Sequence, residues 1–493
     1  MSDIYCRKEE IAELERLSQS KKAEFLAVYG RRRVGKTYLI TRFFENQFAF
    51  FHTALPPYSE EEDLDSSGDG RKERRKMRDQ LNHFAESLAE YGYASKGPLD
   101  SWLDAFSALK SLLKPLLNKG KKVVVFLDEL PWMDTPKSGF LQEFQAFCNS
   151  FACRYDDILL IVAGSNITWI SSELINGYGG LYDRLTAEMK LSPLSLGECE
   201  DYLLRGKGIR FSRYDLAFAY MVFGGVPYYL DKFKTGLSLP QIIDSCFFGK
   251  NATLRNEFHR LFLSSFRNGE KIQQIVTALS ERSLGLTREE IASSLGLTSG
   301  GNISEYLSSL ENADFIVSYT PLGEAKNAVY YRLIDPFCLF YLRFVLGSTK
   351  FDEKLFSGLS AGGAINSWRG FAFENVCFNH IASIKKALGV SGVFSKQYAF
   401  IDTKDKKKQA QIDMVIDRAD NIVNLCEMKF TKSSYEHDKA EHDRLLNREN
   451  RLEALIPKRK VIRKVLITSI GLKNGIHSSD FDKVLVLDDL FDE

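Results

Sequence analysis

Residues 24–44 read EFLAVYGRRRVGKTYLITRFF. The first seven, EFLAVYG, are a short apolar run of the kind that forms a buried strand. Residues 38–44, YLITRFF, have helical apolar spacing. Between them stands Gly30-Arg31-Arg32-Arg33-Val34-Gly35-Lys36-Thr37. This is a complete GxxxxGK[ST] loop in the strand-loop-helix context that it requires. Its glycines let the backbone wrap phosphate groups closely, with N–H groups turned inward. Gly30, Arg31, Arg32, Arg33, Val34, Gly35, Lys36, Thr37 and Tyr38 are therefore the expected nucleotide-binding residues. Lys36 is expected to neutralise β- and γ-phosphate oxygens, and Thr37 to hold Mg2+ through its hydroxyl.

The metal-side carboxylate is expected downstream. Lys121-Lys122 opens the continuous apolar run Val123–Leu127, which ends in Asp128-Glu129. Such a run predicts a parallel strand buried on both faces. Carboxylates at its end fall where open α/β sheets bind ligands. Asp128 would orient Mg2+, and Glu129 would act as general base on water. A third strand is expected at Ile158–Ala163, followed by Gly164-Ser165-Asn166. Ser165 and Asn166 share the candidacy for contact with the γ-phosphate or the attacking water. Ordinary turn chemistry is the alternative.

Working outward, 493 residues suggest about three domains. A net charge of +1, with 44% hydrophobic and 27% charged residues, excludes disordered, collagen-like and coiled-coil chains. It also excludes a histone-type basic binder. No apolar run reaches the ~18 residues of a membrane-spanning helix. The start, MSDIYCRKEEIAELERL, lacks the apolar core of a secretory signal. The eight cysteines are scattered without a CxxC pair, which argues against a zinc ribbon or disulfide framework and for a reducing cytoplasm.

These motifs in this order resemble the AAA+/STAND-type P-loop ATPases of bacteria and archaea, in particular those with a GRRRxGKT loop. The resemblance extends to Phe126-Leu-Asp-Glu-Leu-Pro-Trp132-Met-Asp134, Gly179-Gly180-Leu181-Tyr182-Asp183-Arg184 and Gly224-Gly225-Val226-Pro227-Tyr228-Tyr229. It implies ATP with Mg2+, and a helical lid whose Gly225 and Pro227 pack on adenine. It implies that Arg184 senses the γ-phosphate or acts across subunits; a surface salt bridge is the plainer reading. Arg7 matches the stretch that flanks the base. The expected ATPase core spans 1–190 and the lid 191–265. Residues 55–78, LPPYSEEEDLDSSGDGRKERRKMR, read as a flexible insertion because they bury little apolar surface.

Residues 266–345 read as a winged helix. An amphipathic helix at 271–280 precedes a capping box, Thr287-Arg-Glu-Glu290, and a third helix at 302–312. Two strands at 315–319 and 328–333 would form the wing. The third helix carries Glu305 and Glu311 and no Lys or Arg, so a structural or regulatory module is favoured over a DNA reader.

After a linker at 346–364, residues 365–493 carry a second constellation. A helix is expected at 366–388, with Glu374 in its first turns. Gln411-Ile-Asp413 and Glu427-Met428-Lys429 lie on two strands of a hairpin. Alternation puts Glu427 and Lys429 on one side. Asp413 and Glu427 supply hard oxygens suited to Mg2+ or Mn2+. Lys429 would orient water or stabilise transition-state charge. Metal-assisted phosphodiester hydrolysis suits this set. A charged strand edge with surface ion pairs is the plainer reading.

These positions resemble the PD-(D/E)XK nuclease superfamily, with Glu374, Asp413, Glu427 and Lys429 filled and Gln411 adding a polar contact. Residues 365–479 hold 21 Lys plus Arg against 13 Asp plus Glu, whereas 480–493 hold one Lys and six acids. Nucleic acid, DNA foremost, is therefore expected at this domain, with Lys404, Lys406, Lys407 and Lys408 nearest the phosphates. A solvated charge run is the alternative.

The expected fold class is thus multidomain α/β: a P-loop parallel sheet with a helical lid, a winged helix-turn-helix and an α/β restriction-endonuclease-like domain. The expected function is ATP binding and hydrolysis, coupled to a Mg2+-dependent nuclease-like domain. The alternative is an ATP-driven switch or scaffold that binds DNA or protein without cutting. A homo-oligomer is left open.

Overall fold

The computed structural model describes residues 4–56, 69–95, 97–177, 180–181, 183–266, 268–282, 284–296, 301–320, 329–348, 354–359, 362–402 and 410–492. The chain forms two compact units, Met1–Ser192 and Pro193–Glu493.

The first unit is built on five strands: β1 (Glu24–Tyr29), β2 (Phe50–Thr53), β3 (Val123–Asp128), β4 (Ile158–Gly164) and β5 (Ala187–Lys190). Their order is β2-β3-β4-β1-β5, and every pairing is parallel. β3 and β4 are buried along their whole length, as continuous apolar strands of a doubly covered sheet must be. Side-chain alternation divides the core. Leu26 and Val28 face α1 (Lys8–Gln19) and α2 (Lys36–Phe43) with Leu14, Leu17, Leu39 and Ile40. Phe25 and Ala27 face the opposite layer, made by α3 (Asp69–Glu90), α4 (Trp102–Leu113) and α5 (Phe140–Phe147). There Phe84, Trp102, Phe106, Phe140 and Phe144 interlock, each contributing roughly 1.5–3 kcal/mol of burial. Because β4 lies between β1 and β3, the residues that follow it stand between the loop after β1 and the carboxylates after β3.

The expected flexible insertion is corrected in part. Residues 57–68 lie outside the described residues, but 69–78 form the first half of α3. Straight-chain Lys, Arg and Glu lose little rotamer freedom in a helix. The same helix is anchored further on by buried Leu81, Phe84 and Leu88.

The second unit opens with helices that include Arg213–Phe223, Pro227–Leu230, Leu239–Phe247 and Glu257–Ser265. Helices Gly269–Ser280, Arg288–Ser294 and Gly301–Asn312 follow, with β6 (Leu286–Thr287), β7 (Ile316–Tyr319) and β8 (Tyr330–Leu333) in the antiparallel order β6-β8-β7. The Thr287–Glu290 capping box is formed. A second five-stranded sheet comprises β9 (Ser395–Asp402), β10 (Ala410–Arg418), β11 (Ile422–Lys429), β12 (Val461–Thr468) and β13 (Lys483–Val486), in the order β13-β12-β11-β10-β9. β9, β10 and β11 run antiparallel, and β11, β12 and β13 parallel. The crossover helix Lys439–Glu453 buries Leu445 and Leu452 on the sheet. Residues far apart in sequence close this unit. Arg213 pairs with Glu200 and with Asp488 at 3.1 Å and lies 4.7 Å from the centre of the Phe491 ring.

The helix expected over 366–388 is two helices, Gly363–Asn379 and Ile381–Ala387. His380 breaks it. Its Nδ1 donates to the Val376 carbonyl at 2.8 Å, and its Nε2 accepts the Leu196 N–H at 2.9 Å. Burial pushes its pKa down to about 4, so the ring stays a neutral acceptor. The earlier helix start also moves Glu374 three turns in, not into the first turns. Among the described residues, no helix is long and apolar enough to cross a membrane.

Candidate functional site

The loop after β1 is held open by three left-handed or glycine-only positions. A Cβ on Gly30 would stand 2.2 Å from the Leu191 carbonyl oxygen, so only glycine fits. Arg33 and Gly35 have φ of 74° and 94°. Nothing lies within 4 Å of where a Gly35 Cβ would point, which leaves room for a ligand. Lys36, at the start of α2, is buried, and burial lowers its pKa. Its Nζ spans the loop, donating to the Gly30 and Arg31 carbonyls at 2.9 and 3.2 Å.

A continuous polar chain crosses the carboxyl ends of the strands. Thr37 Oγ1 donates to Asp128 Oδ2 at 2.8 Å. The Glu129 N–H donates to Asp128 Oδ1 at 3.1 Å. Glu129 itself has φ 50°, and its Oε2 accepts both the N–H and the Oγ of Ser165, at 2.9 and 2.8 Å. Burial first, and the neighbouring Glu129 second, push the Asp128 carboxyl up to about 6. A hydroxyl and a desolvated carboxylate 2.8 Å apart beside an open loop fit a divalent cation carried in with phosphates.

Asp128 also carries a testable cost. A raised folded pKa means that ionising the group opposes folding, by an amount that grows as pH climbs from 3.8 towards 6 and is constant above. Asp128→Asn keeps an acceptor for Thr37. The nucleotide-free variant should be more stable by about 2–3 kcal/mol at pH 8, and by about half that at pH 5. Urea unfolding at the two pH values measures this.

The other expected residues are placed as follows. Asn166 Oδ1 accepts the Trp169 N–H at 3.1 Å and so caps a helix, which leaves Ser165 as the partner of Glu129. Arg184 Nε donates to Asn149 Oδ1 at 2.8 Å on the surface. Arg7 is buried, with Nη2 3.5 Å from the Val34 carbonyl oxygen. Tyr38 is half exposed, with Arg42 over its ring. Arg32 lies 5.3 Å from the centre of the Trp132 ring, a cation–π contact that the spacing of the motifs did not foretell. Gly225 belongs to the second unit. It has φ 64°, a Cβ there would meet the Leu194 carbonyl oxygen at 2.0 Å, and Pro227 begins the helix Pro227–Leu230.

In the C-terminal sheet, Met414 pairs with Cys426, so the same register brings Asp413 opposite Glu427. Glu374, Gln411, Asp413 and Lys429 line a cavity of about 400 Å3 with Phe371 and Thr431. Asp413 Oδ2 accepts the Met428 N–H at 2.9 Å. Glu374 is paired with buried Arg332 at 3.1 Å. Arg332 also lies 5.2 and 4.9 Å from the centres of the Phe371 and Phe378 rings. Glu427 Oε1 accepts from Arg448 Nη1 at 2.6 Å. Its Oε2 is buried without a hydrogen-bond partner, with Lys429 Nζ 3.8 Å away. Lys429 also faces Glu441 at 3.7 Å.

Burial first, and Asp413 second, push both Glu374 and Glu427 up to about 7. Two glutamates that each face Asp413, and an orphaned oxygen, are a field that a divalent cation would relieve. The set is not closed, however. Among the described residues, the group whose ligand atoms all lie within 4.8 Å of one another is His437, His442 and Asp480. Arg332 and Arg448, which engage the two glutamates, went unforeseen, because nothing local in sequence marks them. Lys404, Lys406, Lys407 and Lys408 lie outside the described residues.

The parallel sheet, the GxxxxGKT loop and the Thr37–Asp128–Glu129–Ser165 chain define a P-loop ATPase domain. Residues 5–233 match the model of a family described as an ATPase domain predominantly from Archaea. The uncharacterized protein MJECL04 of Methanocaldococcus jannaschii is 25% identical over 386 residues, covering 77% of each chain. The uncharacterized ATP-binding protein MJ0423 of the same organism is 56% identical over 41 residues, 8% of this chain and 70% of that one. Among solved structures, the Walker-type ATPase PABY2304 of Pyrococcus abyssi aligns over 69% of this chain and 96% of its own, at 18% identity and a TM-score of 0.43. The ORC2 protein of Aeropyrum pernix aligns over 68% and 92%, at 12% identity and a TM-score of 0.40.

Proposed function

We propose that the protein is an ATP-driven switch of the AAA+/STAND type, whose nucleotide state governs a metal-dependent nuclease-like site acting on DNA. The Thr37–Asp128–Glu129–Ser165 chain beside the Lys36 loop carries the first half of this reading. Lys36 would leave the Gly30 and Arg31 carbonyls for phosphate oxygens. Thr37 and Asp128 would hold Mg2+, which when bound neutralises phosphate charge. Glu129, positioned by Ser165, would take the proton of the attacking water. Gly225 and Pro227 would close over adenine as part of a lid at 191–265, and Arg184 would serve a neighbouring copy. The helices and strands of 266–345 would act as a winged helix that relays lid motion to residues 365–493.

The clustering of Glu374, Asp413 and Glu427 beside Lys429 supports the second half. Asp413 and Glu427 would hold Mg2+ or Mn2+, and Lys429 would orient the water. If so, plasmid cleavage by the full chain with ATP and Mg2+ or Mn2+ should fall roughly 10²–10³-fold in both Asp413→Ala and Lys429→Ala. The engagement of Glu374 and Glu427 by Arg332 and Arg448 favours a second reading, a nuclease-like domain that binds without cutting. Absence of cleavage by the wild-type chain under all these conditions, with DNA retained in a binding assay, would select it.

A further inference from the structure

We propose that His437, His442 and Asp480 form a structural transition-metal site of the Zn2+ class, distinct from both sites above and independent of whether the nuclease-like domain cuts. Three of the chain's seven histidines meet here, drawn from two separate segments. His437 precedes the helix Lys439–Glu453 and His442 lies in its first turn; Asp480 ends the short turn Ser478–Asp480 ahead of β13. Asp480 Oδ2 takes both imidazoles at once, His437 Nε2 at 3.0 Å and His442 Nδ1 at 2.5 Å.

The surroundings suit a held ion. The His437 side chain is 3% exposed, and the Nε2 that faces Asp480 is the nitrogen it offers to an ion. The Phe481 ring covers it with centroids 4.9 Å apart. His442 and Asp480 are 25% and 18% exposed, which leaves a path for entry. His477 stacks on His442 with ring centroids 4.2 Å apart, and water would supply a fourth ligand.

The donors select the metal. Two imidazole nitrogens and one carboxylate oxygen suit Zn2+ and its neighbours, whereas Mg2+ and Ca2+ demand oxygen sets. Tetrahedral bonds of about 2.0–2.2 Å place donor atoms roughly 3.3 Å apart. The present 3.0 and 2.5 Å therefore need to open by less than about 1 Å. The site would brace one helix. Glu441 and Arg448 of that helix reach Lys429 and Glu427, so a metal tie at its N-terminus fixes the side chains around the ExK strand.

The test uses the full chain, freed of any affinity-tag histidines and stripped with chelator. Titration with Co2+ should give a ligand-field absorption band that saturates at one equivalent, is displaced by Zn2+ and resists millimolar Mg2+. His442→Ala and Asp480→Asn should each weaken Co2+ binding at least tenfold while still binding ATP, and Asp413→Ala should keep the band. Absence of saturable Co2+ binding by the wild-type chain overturns the proposal without relying on any variant. So does a band unchanged in His442→Ala and Asp480→Asn, or one lost in Asp413→Ala.

Discussion

Lys36→Ala is expected to abolish ATP binding, whereas Glu129→Gln is expected to keep ATP bound and to lose turnover by roughly 10²–10⁴-fold. The two substitutions separate because the residues hold different parts of the site. Lys36 Nζ is a buried cation whose present partners are two loop carbonyls, at 2.9 and 3.2 Å. Carbonyls carry partial charge only, so phosphate oxygens are the stronger partner and the exchange favours the ligand. Removing the cation leaves the loop amides to bind a polyanion alone. Glu129 is proposed to act on the attacking water and not on the bound phosphates. Glutamine at 129 can still accept from Ser165, so Thr37 and Asp128 would stay in place while the proposed base is lost. Equilibrium dialysis with labelled ATP and a phosphate-release assay check both halves. Unchanged turnover in both variants would remove the proposed roles of these side chains.

Arg332→Ala is the substitution expected to harm the second unit most. Its guanidinium is almost fully buried between two aromatic rings and pairs with Glu374 at 3.1 Å. Removing one member of a buried pair typically costs about 3–5 kcal/mol, because the other charge is left uncompensated. Glu374 is already pushed up to about 7 by burial and by Asp413, with Arg332 acting to lower it. Without Arg332 its pKa rises further, so the carboxyl is already protonated at neutral pH. The loss should therefore be larger at pH 8 than at pH 6. Adding Glu374→Gln should recover part of it at pH 8 and little at pH 6. Denaturant unfolding of the single and double variants closes the cycle. Additive effects at pH 8 would mean that the pair is not coupled.

The sequence revealed the parts whose signals are local. The P-loop strand, the β3 run and the β4 run each carry their pattern within a few residues, and the Thr287 capping box is a four-residue device. The edge strands β2 and β5 are four residues each, too short for a period to register. What stayed hidden depends on distant partners. The break at His380 needs the Leu196 N–H, 184 residues away in sequence. The Arg332–Glu374 and Arg448–Glu427 pairs need tertiary proximity that no spacing encodes. Asn166 and Ser165 look alike as polar residues after a strand. Only the geometry gives one to helix capping and the other to Glu129. The basic block at 71–78 reads as a loop because composition alone does not distinguish a solvated loop from the start of a long helix.

The Arg213–Asp488 pair has a consequence for biosynthesis. The partners are 275 residues apart, and translation at about 5–20 residues per second separates their emergence by roughly 14 to 55 s. During that interval the early helices of the second unit are already made, yet the segment that covers Arg213 does not exist. Apolar faces exposed for that long are natural clients for chaperones. Codon-level pacing between 213 and 488 should therefore influence yield more than pacing within the first unit, which is complete by Ser192.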